Sequence, residues 1–153
     1  MKRTHECPAI RVAMMPRDTN GRGDIFGGVI MSQVDIAGAV TAHHVCENRL
    51  VTRVCTVEFI RPVLVNDILT LWGRLEKIGN TSITVKVAVE VERAGQRVTV
   101  GDATLVFVAV GADRKPTPVK LRDNVSGSCC KPGRRSTGKK ATTAKKTTKP
   151  GSR

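Results

Sequence analysis

An apolar run from Gly28 to Cys46, with Asp35 in its middle, constrains the fold of this chain more than any other feature. The run is longer than a typical strand and has apolar residues on every side, so it predicts an α-helix that is buried all round. An ionised carboxylate buried without partners is costly and normally pairs or shifts its pKa. We therefore expect Asp35 to be functional. The alternative is a structural Asp35 that hydrogen-bonds a neighbouring loop.

The predicted helix follows a loop, MPRDTNGRGD, that is dense in turn-forming residues. Asp18, Asn20 and Asp24 in this loop can each cap a turn or a helix start. Gly27 and Gly28 stand at the helix N-terminus, where backbone N–H groups lack intrahelical partners. Because they have no side chains, a carbonyl oxygen can approach them closely. Two interpretations stay open for the glycines: a tight loop-to-helix turn, or a site that binds an oxyanion.

The chain also contains five segments with the pattern of strands. They cover residues 9–15, 50–62, 68–78, 82–93 and 97–110. The turn motifs VND, GN and AGQ separate the last four, so they predict consecutive hairpins and an antiparallel sheet. With the helix after the first strand, the order predicts an α+β fold in which a curved sheet wraps around one long buried helix. The last strand is apolar on both faces in its second half, which predicts a subunit interface on the face away from the helix.

The formal net charge of +13 is concentrated at the C-terminal end. Nine Lys and Arg residues and no acidic residue follow Cys130, which leaves +13 − 9 = +4 on residues 1–130. We expect one folded domain over residues 1–122 and a basic, disordered tail over residues 123–153, because the tail is low in complexity and poor in apolar side chains. Such a tail is typical of binding to nucleic acid or other polyanions.

No apolar stretch in the sequence is long enough to span a bilayer, and the N-terminus has no continuous apolar region of the kind found in signal peptides. We therefore expect a soluble cytoplasmic protein. The five cysteines are odd in number and form no CxxC pair, so neither a disulfide framework nor a zinc site is predicted. His43 and His44 fall in the last helical turn, where a structural role is favoured over metal binding.

Four segments together resemble one known family: MPRDTNGRGDIFGGVIMSQVDIAGA, VEFIRPVLVNDIL, GNTSITVKVAVEV and ATLVFVAV. They are similar to the hotdog-fold acyl-CoA thioesterases, and most of all to the short bacterial acyl-CoA thioester hydrolases, over about residues 9–119. The GD-x-FGG element, the Asp seven residues after Gly28, the F-x-RPV strand end and the four strands come in the family's order. The resemblance implies a hotdog fold and a homodimer, often assembled further into a hexamer as a trimer of dimers, with active sites at the dimer interface.

The resemblance also implies that Asp35 is the catalytic carboxylate and that Asp24 assists it across the interface. Asp35 would act as general base or as nucleophile on acyl-CoA, releasing free fatty acid and CoA, and the N–H groups of Gly27 and Gly28 would polarise the thioester carbonyl. Capping stays an alternative for Asp24. Coenzyme A is part of the substrate, so no cofactor and no metal is expected. The candidate contacts to substrate are Phe26, Arg61 and the polar turn Asn80-Thr81-Ser82.

Other function classes explain less of the sequence. A serine-esterase mechanism is disfavoured because Ser32 lies near Asp35 but no His is placed to serve it. A non-catalytic acyl-CoA-binding module gains nothing from a carboxylate at position 35, and the Asp/His pair of a related hydratase is not evident. A nucleic-acid-associated protein would account for residues 131–153 and for nothing in the core. An enzyme of fatty acid metabolism with an added basic tail accounts for both parts.

Overall fold

Five antiparallel strands curl around one long helix in the computed structural model, which describes residues 7–123. A short 3-10 helix, Pro16–Asp18, precedes the long one. The elements are β1 (Ile10–Ala13), α1 (Gly27–Val45), β2 (Arg49–Phe59), β3 (Ile68–Ile78), β4 (Ser82–Arg93) and β5 (Gln96–Val110). The predicted α+β order is thereby confirmed, and β3 and β4 have the predicted bounds. The predicted tail from residue 124 onward lies outside the described residues.

The strands are arranged in the order β1-β3-β4-β5-β2 across the sheet, and every neighbouring pair is antiparallel. The prediction of four consecutive hairpin-linked strands is wrong for its first connection, because β2 pairs with β5 and not with β3. Residues 60–67 instead carry the chain from one side of the sheet to the other. The turn motif at Asn66, which has a φ of 69°, fixes only a local reversal of the chain. Which strand becomes the neighbour depends on long-range packing.

One face of α1 is buried against the sheet and the other is open. The buried residues are spaced three or four apart: Ile30, Val34, Ala37, Gly38, Thr41, Ala42 and Val45. Met31 and Ile36, on the open face, are 42% and 46% exposed. The predicted burial all round is therefore wrong for the single chain, because the five strands cover only one side of the helix. An apolar helix face that stays open is a surface for a further partner.

Two close approaches fix how deeply α1 lies in the sheet. A Cβ atom at Gly73 on β3 would collide with the Thr41 side chain, so only glycine admits the helix there. The Thr41 hydroxyl donates a hydrogen bond of 2.8 Å to the Ala37 carbonyl, which satisfies this buried polar group. Gly38 makes a similar close contact with side chains of β5. These contacts set the height and rotation of the helix, and hence the position of Asp35.

The second half of β5 is covered by the chain itself. Val108 and Val110 are only 9% and 8% exposed. The segment after β5 turns back along it, with the Thr117 N–H donating to the Ala109 carbonyl at 2.9 Å and Pro116 bridged to Val110. The subunit interface predicted on this face of β5 is therefore not needed for burial. The exposed large apolar side chains lie on other elements, β2 and α1 among them.

Within the part of the chain that the structure describes, no helix combines the length and apolar character needed to cross a membrane.

Candidate active site

Asp35 lies on the side of α1 that faces β2 and is half-buried. Its Oδ1 atom accepts a hydrogen bond of 2.8 Å from the Thr52 hydroxyl. Among the described residues, no group donates to its other carboxylate oxygen, Oδ2. One oxygen is therefore held by a strand while the other is available to a water molecule or to a carbonyl carbon. The predicted structural alternative, a bond to a neighbouring loop, is not what the structure contains.

A β-bulge at Arg53 brings the side chains that surround this carboxylate together. Thr52 pairs with Phe107 and Cys55 pairs with Leu105, while the register shifts between them. Phe107 and Leu105 both face α1. In a regular strand, two residues three positions apart point to opposite faces, but the extra residue of the bulge turns Thr52 and Cys55 to the same side. The bulge thus directs both side chains toward the helix.

The Cys55 thiol is close enough to Asp35 to be affected by its charge. Burial of part of the thiol raises its pKa, and the negative charge of Asp35 raises it further. A thiol with a raised pKa is a poor nucleophile because the thiolate is the reactive form. The carboxylate, and not Cys55, is therefore the group suited to attack or to proton transfer. Neither Thr52 nor Cys55 could be predicted from the sequence, since no glycine or turn residue marks the bulge.

The N-terminus of α1 presents unpaired N–H groups between two phenyl rings. Gly27 and Gly28 are the first helical residues after the N-cap Phe26, and the first bond to the Phe26 carbonyl comes from Val29 at 2.9 Å. A Cβ atom on Gly28 would collide with the Phe26 ring, and one on Gly27 would lie 3.4 Å from the Phe59 ring. Neither glycine has a positive φ. A side chain at position 28 would therefore have to displace the exposed Phe26 ring, whereas position 27 has room for a Cβ atom.

Asp35 and these N–H groups are too far apart in one chain to act on the same carbonyl. Asp35 follows Gly28 by seven residues, which is about 10 Å along a helix axis. An oxyanion donor must lie about 3 Å from the developing oxyanion, and an attacking atom about 3–3.5 Å from the carbon. The single chain therefore holds two parts of a site and not a complete one.

Asp24 is half-buried in the loop that precedes α1. The predicted capping role is wrong, because the N-cap of α1 is Phe26 and no side chain caps it. Capping in this loop is done by Asp18, which accepts a hydrogen bond of 2.9 Å from the Met15 N–H, and by Asn20, which accepts one of 2.8 Å from the Arg22 N–H. Asp24 uses its backbone carbonyl, at 2.7 Å from the Asn20 nitrogen, and among described residues its carboxylate accepts no hydrogen bond. Catalytic assistance by Asp24 stays a prediction.

The candidate CoA contacts lie at opposite ends of the sheet. Arg61 follows the end of β2, is exposed, and donates a hydrogen bond of 2.9 Å to a backbone carbonyl of β5. The turn Asn80-Thr81-Ser82 lies near the start of β2, where the Thr81 carbonyl accepts a bond of 2.9 Å from the Ala109 N–H. One chain therefore does not bring Arg61 and this turn together.

The two histidines at the end of α1 have structural contacts. The His44 Nδ1 atom lies 2.9 Å from the Val40 carbonyl oxygen, and the His43 carbonyl accepts a bond of 3.1 Å from the Arg122 side chain. Among residues 7–123, no group of three or more His, Cys, Asp or Glu side chains is arranged to hold a metal ion.

A curled antiparallel sheet around one long helix is the hotdog fold, and the solved structures that it resembles include thioesterases. The structure is similar to a hexameric hotdog fold thioesterase of Campylobacter jejuni, with a TM-score of 0.70 and 37% identity over 74% of this chain and 90% of that one. It is also similar to a hexameric broad specificity acyl-coenzyme A thioesterase, HI0827, solved as an aspartate-to-alanine mutant enzyme. That match has a TM-score of 0.73 and 37% identity, and covers 80% of this chain and 91% of the other.

The sequence comparisons identify the family. The model of the thioesterase superfamily matches residues 22–106. The acyl-CoA thioester hydrolase YciA of Salmonella typhimurium is 42% identical over 119 residues, which is 74% of this chain and 90% of that protein. This chain therefore belongs to the thioesterase superfamily. The hotdog fold and the family resemblance predicted from the sequence motifs are both confirmed.

Proposed function

We propose that this protein hydrolyses acyl-CoA thioesters to free fatty acid and CoA, with Asp35 as the catalytic carboxylate. The observation that carries the proposal is Asp35, the one carboxylate on α1, oriented by Thr52 and with one oxygen available. Membership of the thioesterase superfamily supports the reaction type. The names of similar proteins, acyl-CoA thioester hydrolase and acyl-coenzyme A thioesterase, support the substrate class.

The complete site is formed between two copies of the chain. Within residues 7–123, β2 lies at an edge of the sheet and pairs only with β5, so its other edge has backbone groups without partners in that part of the chain. The large exposed apolar side chains include residues of β2, of α1 and of the loops next to them: Phe26, Met31, Ile36, Val51, Val54, Phe59 and Ile60. A second copy that pairs its β2 antiparallel to this one would continue the sheet and bring these side chains of the two copies together. The hexameric state of similar thioesterases supports a homodimer within a trimer of dimers.

A two-fold axis through paired β2 strands brings the separated groups together. The two copies of α1 then run antiparallel, so the N-terminus of one helix approaches Asp35 of the other. Within one chain, Asp35 and the N–H groups of Gly27 and Gly28 are separated by about 10 Å, or about two helical turns. In the dimer this separation no longer matters, because the two sets of groups come from different copies. Asp24, just before the same helix N-terminus, assists Asp35 across the interface.

The reaction at this site has two routes that differ in the first step. As general base, Asp35 takes a proton from water while the water oxygen bonds to the thioester carbon; as nucleophile, its oxygen forms that bond and water later hydrolyses the anhydride. In both routes the carbonyl oxygen gains negative charge, which the N–H groups of Gly27 and Gly28 stabilise. The C–S bond then breaks and CoA leaves as a thiolate. Thr52 keeps the carboxylate oriented.

The same two-fold arrangement provides contacts for both ends of the substrate. The exposed rings of Phe26 and Phe59, at 57% and 49% exposure, offer apolar surface beside the thioester. Arg61 uses one of its five N–H donors within the chain, so others remain for a phosphate of CoA. Antiparallel pairing of β2 brings the Asn80-Thr81-Ser82 turn of one copy toward the end where the other copy has Arg61. The turn then contacts the pantetheine arm.

The direct test is thiol release from acyl-CoAs of short to long chain, with wild type and Asp35→Asn. We expect the variant to keep its fold and assembly and to lose about a hundredfold or more in kcat. Ser32→Ala, a change on the exposed side of the same helix, is the matched control and should act as wild type. A near wild-type rate for Asp35→Asn contradicts the mechanism. Binding of acyl-CoA without thiol release by wild type indicates a binding module instead.

A site shared between two copies can be tested separately, by mixing two variants that each have low activity, called the parents here. Asp24→Ala should lower the rate less than Asp35→Asn does. When the two variants are refolded together, some interfaces join an intact Asp35 from one copy to an intact Asp24 from the other. We expect the mixture to exceed the average activity of its two parents at the same total protein concentration. A mixture that shows only the average of its parents contradicts a site made by two copies.

A further inference from the structure

Two backbone hydrogen bonds hold the start of α1: the Phe26 N–H donates to the Asp18 carbonyl at 2.8 Å, and a buried contact joins Ile25 to the β2–β3 connection. The Ile25 N–H, two residues before Gly27, donates a hydrogen bond of 2.9 Å to the Val63 carbonyl. Ile25 and Val63 are 4% and 2% exposed, so both are fixed in the core. The direction in which the helix begins, and therefore the aim of its first N–H groups, depends on the orientation of the Val63 peptide.

The ion pair between Asp67 and Arg93, called the clamp below, forms hydrogen bonds with the backbone on both sides of Val63. On one side, Arg93 Nη2 donates a hydrogen bond of 2.8 Å to the Pro62 carbonyl. On the other side, Asp67 Oδ2 accepts a bond of 2.8 Å from the Leu64 N–H. The same two side chains are joined to each other, by Arg93 Nε to Asp67 Oδ1 at 3.0 Å and by a second bond from Nη2 to Oδ2. Arg93 is the last residue of β4, so the pair ties the connection to the centre of the sheet.

The pair is buried on the Asp67 side, where the residue is 7% exposed. Burial alone would raise the pKa of Asp67, but the hydrogen bonds from Arg93 and Leu64 and the positive charge of Arg93 lower it below its usual 3.8. Because the folded-state pKa is depressed, the stabilisation is fully present above about pH 3.8 and is lost as the pH falls further. The clamp is therefore ionised and closed over the range in which an enzyme of this class works.

We propose that Asp67 and Arg93 are positioning residues for the active site. They fix the peptides on both sides of Val63, Val63 fixes Ile25, and Ile25 fixes the N–H groups that begin α1. The inference rests on the proposed function, because it gives those N–H groups the role of polarising the thioester carbonyl. Both side chains contact each other and the backbone of the connection, which assigns them a positioning role and not a catalytic one.

The first test measures the clamp without using activity. Amide hydrogen exchange is compared in wild type, Asp67→Asn, Arg93→Lys and Arg93→Met under conditions where all are folded. We expect exchange of the Ile25 amide to accelerate more than that of the Val87 amide in the centre of β4, because the opening is local. Equal acceleration at both amides means that the pair only adds global stability, and no change at Ile25 overturns the clamp.

Glu92→Gln is the matched control. Glu92 precedes Arg93 on the same strand and forms an ion pair of 3.6 Å with Arg11, but both side chains are more than half exposed, at 53% and 54%. Surface pairs of this kind contribute little. The control should leave Ile25 exchange and the kinetic constants at wild-type values.

The second test separates positioning from stability. In Arg93→Lys the positive charge is kept, so thermal stability should recover relative to Arg93→Met, but a single ammonium cannot hold both Asp67 oxygens and the Pro62 carbonyl in the same geometry. We expect kcat of folded Arg93→Lys to fall by about tenfold to a hundredfold with KM within about twofold. A wild-type kcat in both Arg93→Lys and Asp67→Asn overturns the proposal. If wild type releases no thiol, the proposed function fails while the exchange experiment still decides the clamp.

Discussion

β2 and β4 are two strands of nearly equal length, eleven and twelve residues, and both are rich in β-branched side chains. Their surroundings are opposite. In β4, the alternate residues Val85, Val87 and Val89 are at most 1% exposed. In β2, Val51 and Val54 are 49% and 46% exposed. Apolar composition therefore indicates that a surface will be buried, but not whether the same chain or a partner buries it.

The position in the sheet explains the difference. β4 lies between β3 and β5 and is paired on both sides, so its apolar side chains complete the core under α1. β2 is an edge strand, and its bulge turns Thr52 and Cys55 toward the helix. β4 thus stabilises the single chain, whereas β2 provides groups of the candidate site and an apolar surface for a second copy.

The strongest way to break this comparison is to change one apolar position on each strand, with a charge introduced on β2. On β2 we choose Val54→Asp. A carboxylate buried at the proposed interface is costly unless it is paired, so we expect loss of the oligomer together with nearly all thiol release. The fold of the single chain should persist, because Val54 is 46% exposed in it. Light scattering for the mass, circular dichroism for the fold and the thiol assay check the three parts.

The matched change on β4 is Val87→Ala. It leaves a small cavity in the core, where Val87 is 1% exposed, and should lower the free energy of unfolding by about 2 kcal/mol. Assembly and kcat should stay near wild type. A Val54→Asp protein that keeps its oligomer and its activity removes β2 as the interface, and with it the shared site.

A smaller effect is expected from Thr52→Val, which keeps the shape of the side chain but removes the hydroxyl that donates to Asp35 at 2.8 Å. A hydrogen bond to a charged group is worth about 1.5–3 kcal/mol, so kcat should fall by roughly tenfold to a hundredfold with the assembly intact. The control on β4 is Thr84→Val, a half-buried threonine with no role in the site. Equal losses in the two variants mean that Thr52 does not orient the carboxylate.

Much of the fold was accessible from the sequence because local signals mark it. The motifs at Gly79-Asn80 and Ala94-Gly95 bound β4 on both sides, and the strict alternation between them needs no tertiary information. The apolar run that includes Asp35 predicts both ends of α1 to within one residue. The roles assigned to Asp35, Asp24, Gly27 and Gly28 stay predictions until the variants are measured.

What the sequence did not reveal depends on contacts between distant segments. The pairing of β2 with β5 and the crossing of residues 60–67 follow from packing and not from turn chemistry. The bulge at Arg53 has no glycine to mark it, so Thr52 was missed. The Asp67–Arg93 pair joins residues 26 positions apart, and no spacing rule connects a turn aspartate to the end of a later strand.

The smallest effect is expected from deleting residues 124–153. Both strands that pair with β4 lie within residues 7–123. The second strand proposed to pair with β2 is β2 of another copy, which lies within the same residues. The nine cations after Cys130 have no acidic residues among them and take no part in either strand. Oligomer mass and thermal stability should therefore be unchanged, and kcat on short acyl-CoAs should stay within about twofold of wild type, a change of less than 0.5 kcal/mol.

What the deletion should remove is affinity for DNA or RNA, which in the full chain should fall steeply with salt because phosphate binding releases counterions. A rise in KM for acyl-CoA at low salt only would instead indicate that the cations attract the substrate. Loss of the oligomer on deletion would mean that β2 is not sufficient for assembly, and the contrast with β4 would then have to include the tail.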